Sequence, residues 1–180
     1  ALPRPLLLLP LLLPTVAWAQ DPQGAWRTVQ TEHFRLHYPL EAEAWSLNAA
    51  QRFETIHAQV PERVGYDQDR VVDVIVLDPY AMPNGFAMPS LRTPRMGVFT
   101  TAPGADSSLG YYRSWVEVLV VHEDVHLTHM LRPTRSAFRR GLTGLLGYGP
   151  VALKSPMWMI EGYAVFLEGQ LTGTGRPNAD

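Results

Sequence analysis

Apolar and polar positions along this chain change period several times, and each change predicts an element. Val29, Phe34, Leu36 and Tyr38 include a stretch of period-two alternation, which predicts a half-buried strand within residues 26–38. Residues 41–60 carry Ala42, Trp45, Ala49, Phe53, Ile56 and Val60 at steps of three and four, which predicts a helix with Pro61 just beyond it. Residues 71–77 form a β-branched run of strand length, broken by Asp78-Pro79. Residues 78–95 hold Pro79, Pro83, Gly85, Pro89 and Pro94 and read as loop, and residues 96–100 as a short strand.

The second half reads differently. Residues 111–130 are apolar nearly all round, which predicts a helix buried on most sides and ended by Pro133. β-branched residues crowd this stretch, but its length favours helix over strand. Residues 131–155 are looser, with one short amphipathic turn or helix carrying Phe138, Leu142, Leu145 and Leu146. Residues 158–167 predict a second buried helix, with Pro156 just before its start. Strands early and helices late make this an α+β chain without internal repeats.

Composition adds bounds. At 180 residues, 46% hydrophobic and 18% charged, the chain suits one folded domain, placed here at residues 26–172. A formal charge of −2 gives no electrostatic case for a nucleic acid partner. The absence of cysteine leaves only His, Asp and Glu to hold a metal. At the N-terminus, Arg4, the leucine-rich run 6–13 and Ala17-Trp18-Ala19 read as a secretory signal peptide over residues 1–19, so export to the periplasm or beyond is expected. The run is too short, and too broken by Pro10 and Pro14, for a membrane anchor. Residues 20–25 read as a linker, and residues 173–180 as a tail or linker to a further C-terminal region.

The chemistry lies in the apolar helix. His122-Glu123-Asp124-Val125-His126 is an H-E-x-x-H motif. Four residues turn a helix by about 400° and raise it about 6 Å, so both imidazoles share one face and reach one tetrahedral ion. Glu123 sits beside that ion as general base. Burying this many polar groups in an apolar helix is costly unless something pairs with them, and zinc would. Glu161, an acid in the second apolar helix, is the expected third ligand, with Gly162 and Ala164 allowing close helix approach. His129 shares the face but lies about 10 Å along the axis from His122, too far to join the same ion, so it is expected to buttress the site instead.

These residues resemble the gluzincin zinc peptidases. An H-E-x-x-H helix followed by Trp158-Met159-Ile160-Glu161-Gly162-Tyr163-Ala164 looks most like the peptidase-MA-type domains of secreted bacterial proteins, which often precede a WD40- or TolB-like β-propeller. The resemblance implies a zincin-like fold, with a small mixed sheet packed on the active-site helix and a second helix carrying the Glu ligand. It implies zinc on His122, His126 and Glu161, with Glu123 as base. It also implies that Asn84-Gly85-Phe86-Ala87 and an edge strand near Val98 receive an extended peptide or protein substrate. The chain departs from the thermolysin pattern at Val165, where an Asp would orient a zinc histidine. Glu168 and Glu117 are the candidates for that role, and Tyr163 and Tyr148 for stabilising the oxyanion.

The expected function is therefore zinc-dependent hydrolysis of peptide bonds. The alternative is a non-catalytic, zinc-stabilised envelope scaffold or interaction module. A third expectation concerns membrane-surface contact, because Arg132, Arg135, Arg139 and Arg140 flank the apolar residues of the 131–155 segment.

Overall fold

The computed structural model describes residues 24–78, 81–107, 112–174 and 176. The leader expected over residues 1–19 lies outside them, as does most of the 20–25 linker and of the 173–180 tail. A five-stranded mixed sheet and six α-helices form an α+β fold.

The alternating N-terminal segment is two strands rather than one. β1 (Trp26–Gln30) and β2 (Phe34–Pro39) pair antiparallel as a hairpin. Its turn is held from outside: Glu54 accepts a hydrogen bond from the His33 backbone N–H at 2.8 Å and meets the His33 ring at 2.7 Å. Phe34, Leu36 and Tyr38 point into the core and alternate with Arg35 and His37.

A 3-10 turn over Leu40–Ala42 leads into α1 (Glu43–His57). The helix predicted through residue 60 breaks at Ala58, and a short α2 (Val60–Val64) follows. Pro61 lies inside the first turn of α2, not beyond the helix, because its missing N–H is unpaired at that position anyway. Gly65 closes α2 in the left-handed conformation, at φ 70°.

β3 (Val72–Leu77) then pairs parallel to β2, so β2, the two helices and β3 form a crossover unit. β4 (Gly85–Met88) and β5 (Arg95–Phe99) complete a sheet of order β1-β2-β3-β5-β4. Two expectations are corrected here. The proline- and glycine-rich 78–95 segment contains a strand, and the strand around Val98 is interior. β5 runs parallel to β3 on one side and antiparallel to β4 on the other, so β4 is the edge. Gly97 permits this close layer: a Cβ there would stand 2.2 Å from the Phe86 ring on β4.

α3 (Trp115–Leu131) is the buried helix that the apolar stretch predicts. Ser114 caps it by accepting from the Glu117 N–H, and Ser114-Trp115-Val116-Glu117 is a capping-box pattern. Its valines tolerate helical geometry because tertiary burial outweighs the few tenths of a kcal/mol each costs. α1, α2, α5, α6 and β4 all pack against it. The core joins the inward side chains of β2, β3 and β5 to α1 and α3 through Phe34, Phe53, Val74, Met96 and Val120. The 131–155 segment holds two helices, α4 (Ala137–Leu146) and α5 (Pro150–Lys154). α6 (Met157–Thr172) runs about a turn longer than its apolar pattern predicts, and it is not the buried helix expected. It packs on α3 through one face, burying Ile160, Ala164, Leu167 and Glu168, while Met157, Trp158 and Phe166 are exposed and Gly162 faces open space instead of the helix contact.

Candidate metal centre

α3 and α6 are neighbours, and their contact brings three side chains to one point. The Nε2 atoms of His122 and His126 are 2.9 Å apart. Glu161 on α6 places Oε2 3.2 Å from His122 Nε2 and Oε1 3.4 Å from His126 Nε2. One ligand atom from each of the three residues lies within 4.8 Å of the others. Helical period alone accounts for the histidine pair. The packing of α6 on α3 adds the carboxylate.

Hydrogen bonds fix which nitrogen of His122 faces the cluster. Glu168, two turns beyond Glu161 on α6, is fully buried, and its Oε1 stands 2.6 Å from His122 Nδ1. A carboxylate only accepts, so Nδ1 carries a proton, and Nε2 is the nitrogen that faces His126 and Glu161. Burial alone would raise the Glu168 pKa, but the bonds to His122 and Arg176 outweigh it and hold the group ionised, below its ordinary value. Arg176 reaches back from the tail to Glu168, at 3.3 Å for its Nε and closer for Nη2. Arg176 Nη2 also lies 2.9 Å from His122 Nδ1, but with that nitrogen protonated the guanidinium donates to Glu168. Of the two acids named for this role, Glu168 is the one that contacts a motif histidine. Glu117 instead pairs with Arg52 of α1. Arg176 carried no sequence signal, since it stands in a tail without periodicity.

His126 is buried, and burial followed by the proximity of His122 pushes its pKa down to about 4. Its ring is therefore neutral at pH 7 with a lone pair free for a cation. Two facing imidazole nitrogens and a carboxylate are the donor set that suits zinc.

Glu123 is 3% exposed and lies beside the cluster. Burial raises its pKa to about 7, with His122 opposing the shift and Glu161 adding to it. Its Oε2 has no hydrogen-bond partner among the described residues. β4 roofs it closely: a Cβ on Gly85 would stand 2.8 Å from Glu123 Oε1 and 2.6 Å from Leu119. The edge strand thus needs glycine at 85 to approach the acid.

The remaining candidates separate. Tyr163 turns away from the cluster, its hydroxyl donating to the Arg63 carbonyl at 3.3 Å and its ring tilted against His129 at 4.7 Å between centroids. This contact to α2 holds the Tyr163 hydroxyl outside the cluster. His129 is drawn into the same ring pair and does not join the cluster. Tyr148 lines the cleft, which encloses about 650 Å³ above Glu123 and Glu161. One wall is β4 and the other is α5 with the start of α6. On the far side of the motif, Asp124 meets His57 of α1 at 2.9 Å, both buried. Sequence patterning offered one sign of this pair, an acid with no apolar alternative inside a buried helix.

Compared with known proteins, the chain matches no family model and no curated sequence.

Proposed function

We propose that this chain is a zinc-dependent peptidase of the gluzincin type, with a zincin-like arrangement of sheet edge, motif helix and ligand helix. The observation that carries the reading is the convergence of His122, His126 and Glu161 beside a buried carboxyl, Glu123, whose pKa is about 7. A pKa near the working pH suits a group that must both take and return a proton.

His122, His126 and Glu161 would hold the ion, and zinc there supplies Lewis acidity and lowers the pKa of water. Glu168 keeps the His122 ring turned with Nε2 toward His126 and Glu161 by accepting from Nδ1. Glu123 accepts a proton from the attacking water and delivers it to the leaving amine. β4 is an open sheet edge along the cleft, so an extended peptide can add to it as a further strand. That geometry favours peptide over other acyl substrates. Tyr148, which lines the cleft beside the end of β4, would be the phenol available to a developing oxyanion.

The experiment is metal analysis of zinc-loaded protein, with cleavage of a mixed peptide library followed by mass spectrometry. Stoichiometric zinc and cleavage abolished by chelator are expected. Glu123→Gln should keep the zinc and lose the cleavage. Zinc bound without cleavage of any peptide would sink the peptidase reading and leave a structural metal.

A further inference from the structure

We propose that α4 is a docking helix for an anionic membrane surface. Phe138, Leu142, Leu145 and Leu146 recur at helical spacing and form one apolar stripe. All four are exposed, Phe138 at 83% and Leu145 at 77%, and α4 contains no buried residue. A ten-residue helix containing Gly141 and Gly144 gains little from propensity in water, so an apolar phase outside the protein is its natural support.

Charge identifies the occupant. Between Asp124 and Glu161 the chain holds Arg132, Arg135, Arg139, Arg140 and Lys154 and no acid, although the whole chain is net negative. Among the described residues none of these five pairs with a carboxylate. Arg140 donates instead to the carbonyls of Thr134 and Arg135, and Arg132 to that of Val64. Arg139 stands about 100° round the helix from Phe138, at the border of the stripe, while Arg140, about 200° round, faces away from it. Apolar side chains that can enter the acyl boundary, with arginines at headgroup level, are the composition of an interfacial helix. A symmetric dimer through this face would set each copy's arginines against the other's, with no acid in the segment to neutralise them. No helix among the described residues is long and apolar enough to cross a membrane, so the contact is peripheral.

The consequence for the cleft is positional. From α4 the chain runs directly into Tyr148 and α5, which line the cleft. Docking would therefore present the cleft close to the bilayer, whether or not it hydrolyses peptides.

Vesicle co-sedimentation of the full chain tests this, with phosphatidylcholine vesicles with and without phosphatidylglycerol. Binding to the anionic vesicles alone, weakened by salt, is expected. Arg135→Glu with Arg139→Glu should lower the affinity by more than about tenfold, since each basic residue at such a surface contributes about fivefold. Phe138→Ser with Leu145→Ser should also abolish sedimentation. Both double variants should keep the wild-type circular dichroism, because α4 supplies nothing to the core. Absence of sedimentation at low salt, or equal binding of wild type and both variants, would overturn the proposal. So would binding to polyglutamate in preference to vesicles, which would assign the face to an acidic protein.

Discussion

Glu123 sets two properties against each other. Its folded pKa of about 7 lies above the ordinary carboxyl value of 4.5, so the folded state retains a proton that the unfolded state releases. Stability is full below pH 4.5 and is lost as pH rises through 7, by about 3 kcal/mol for a shift of this size. Glu123→Gln keeps the shape and removes the buried charge. In chelator-treated protein we expect the variant to match wild type in stability near pH 4 and to exceed it by roughly that amount at pH 8, measured by urea titration. Activity should fall by about two to four orders of magnitude in the same variant. Gly85→Ala probes the roof over this acid. Its Cβ would push on Leu119 and Glu123, and we expect about 1–3 kcal/mol of destabilisation together with lost cleavage.

At the scale of elements, α3 is held from two sides by buried polar pairs. Glu168 on α6 grips His122, and His57 on α1 grips Asp124. Burial alone would lower the His57 pKa, but Asp124 and the more distant acids Asp67 and Glu54 raise it on balance. Stability from this raised histidine is present below its unfolded pKa near 6.5 and is lost as pH rises through the folded value. Asp124→Asn removes the partner from a buried pair, and we expect a loss of about 3 kcal/mol at pH 6 that shrinks toward pH 9. Chemical denaturation across that range measures it. Glu168→Gln acts on the other side. The His122 tautomer is no longer dictated by an acceptor-only partner, and zinc affinity should fall by about tenfold to a hundredfold in competition with a chromogenic chelator.

For the whole molecule, the proposed metal joins α3 to α6 and so is linked to folding. A ligand that binds only the folded state at about a thousand times its Kd adds about 4 kcal/mol. Zinc should therefore raise the melting temperature of the wild type, read by differential scanning calorimetry. His122→Ala should remove that increment, and a melting temperature indifferent to zinc in the wild type would count against the metal centre. The surface of the molecule divides as well: an acid-free, basic and apolar stretch over residues 125–160 stands against an otherwise acidic chain.

Local spacing was enough to mark some of this protein. The motif histidines sit four apart on a helix, so their shared face follows from helical geometry with no knowledge of the fold. The buried character of α3, and the oddity of Glu161 within the apolar run of α6, are likewise composition in a short window. The burial expected of α6 is not realised, because it packs one face on α3 and leaves Met157, Trp158 and Phe166 exposed. The β2 and β3 cores could be read because alternation and β-branched runs are local. What lay beyond local pattern depended on which elements meet. β4 hides among prolines and glycines, because an edge strand paired on one side needs little apolar sequence, and Gly85 and Gly97 are there for close approach. Tyr163 and Glu168 both followed Glu161 in the chain, yet only Glu168 faces the histidines, while Tyr163 turns to α2. The pairing of His57 with Asp124 joins residues 67 apart. The packing of α6 and α1 on α3 decides these partners, because a side chain's neighbour across two elements is a property of their docking, which no period in the sequence records.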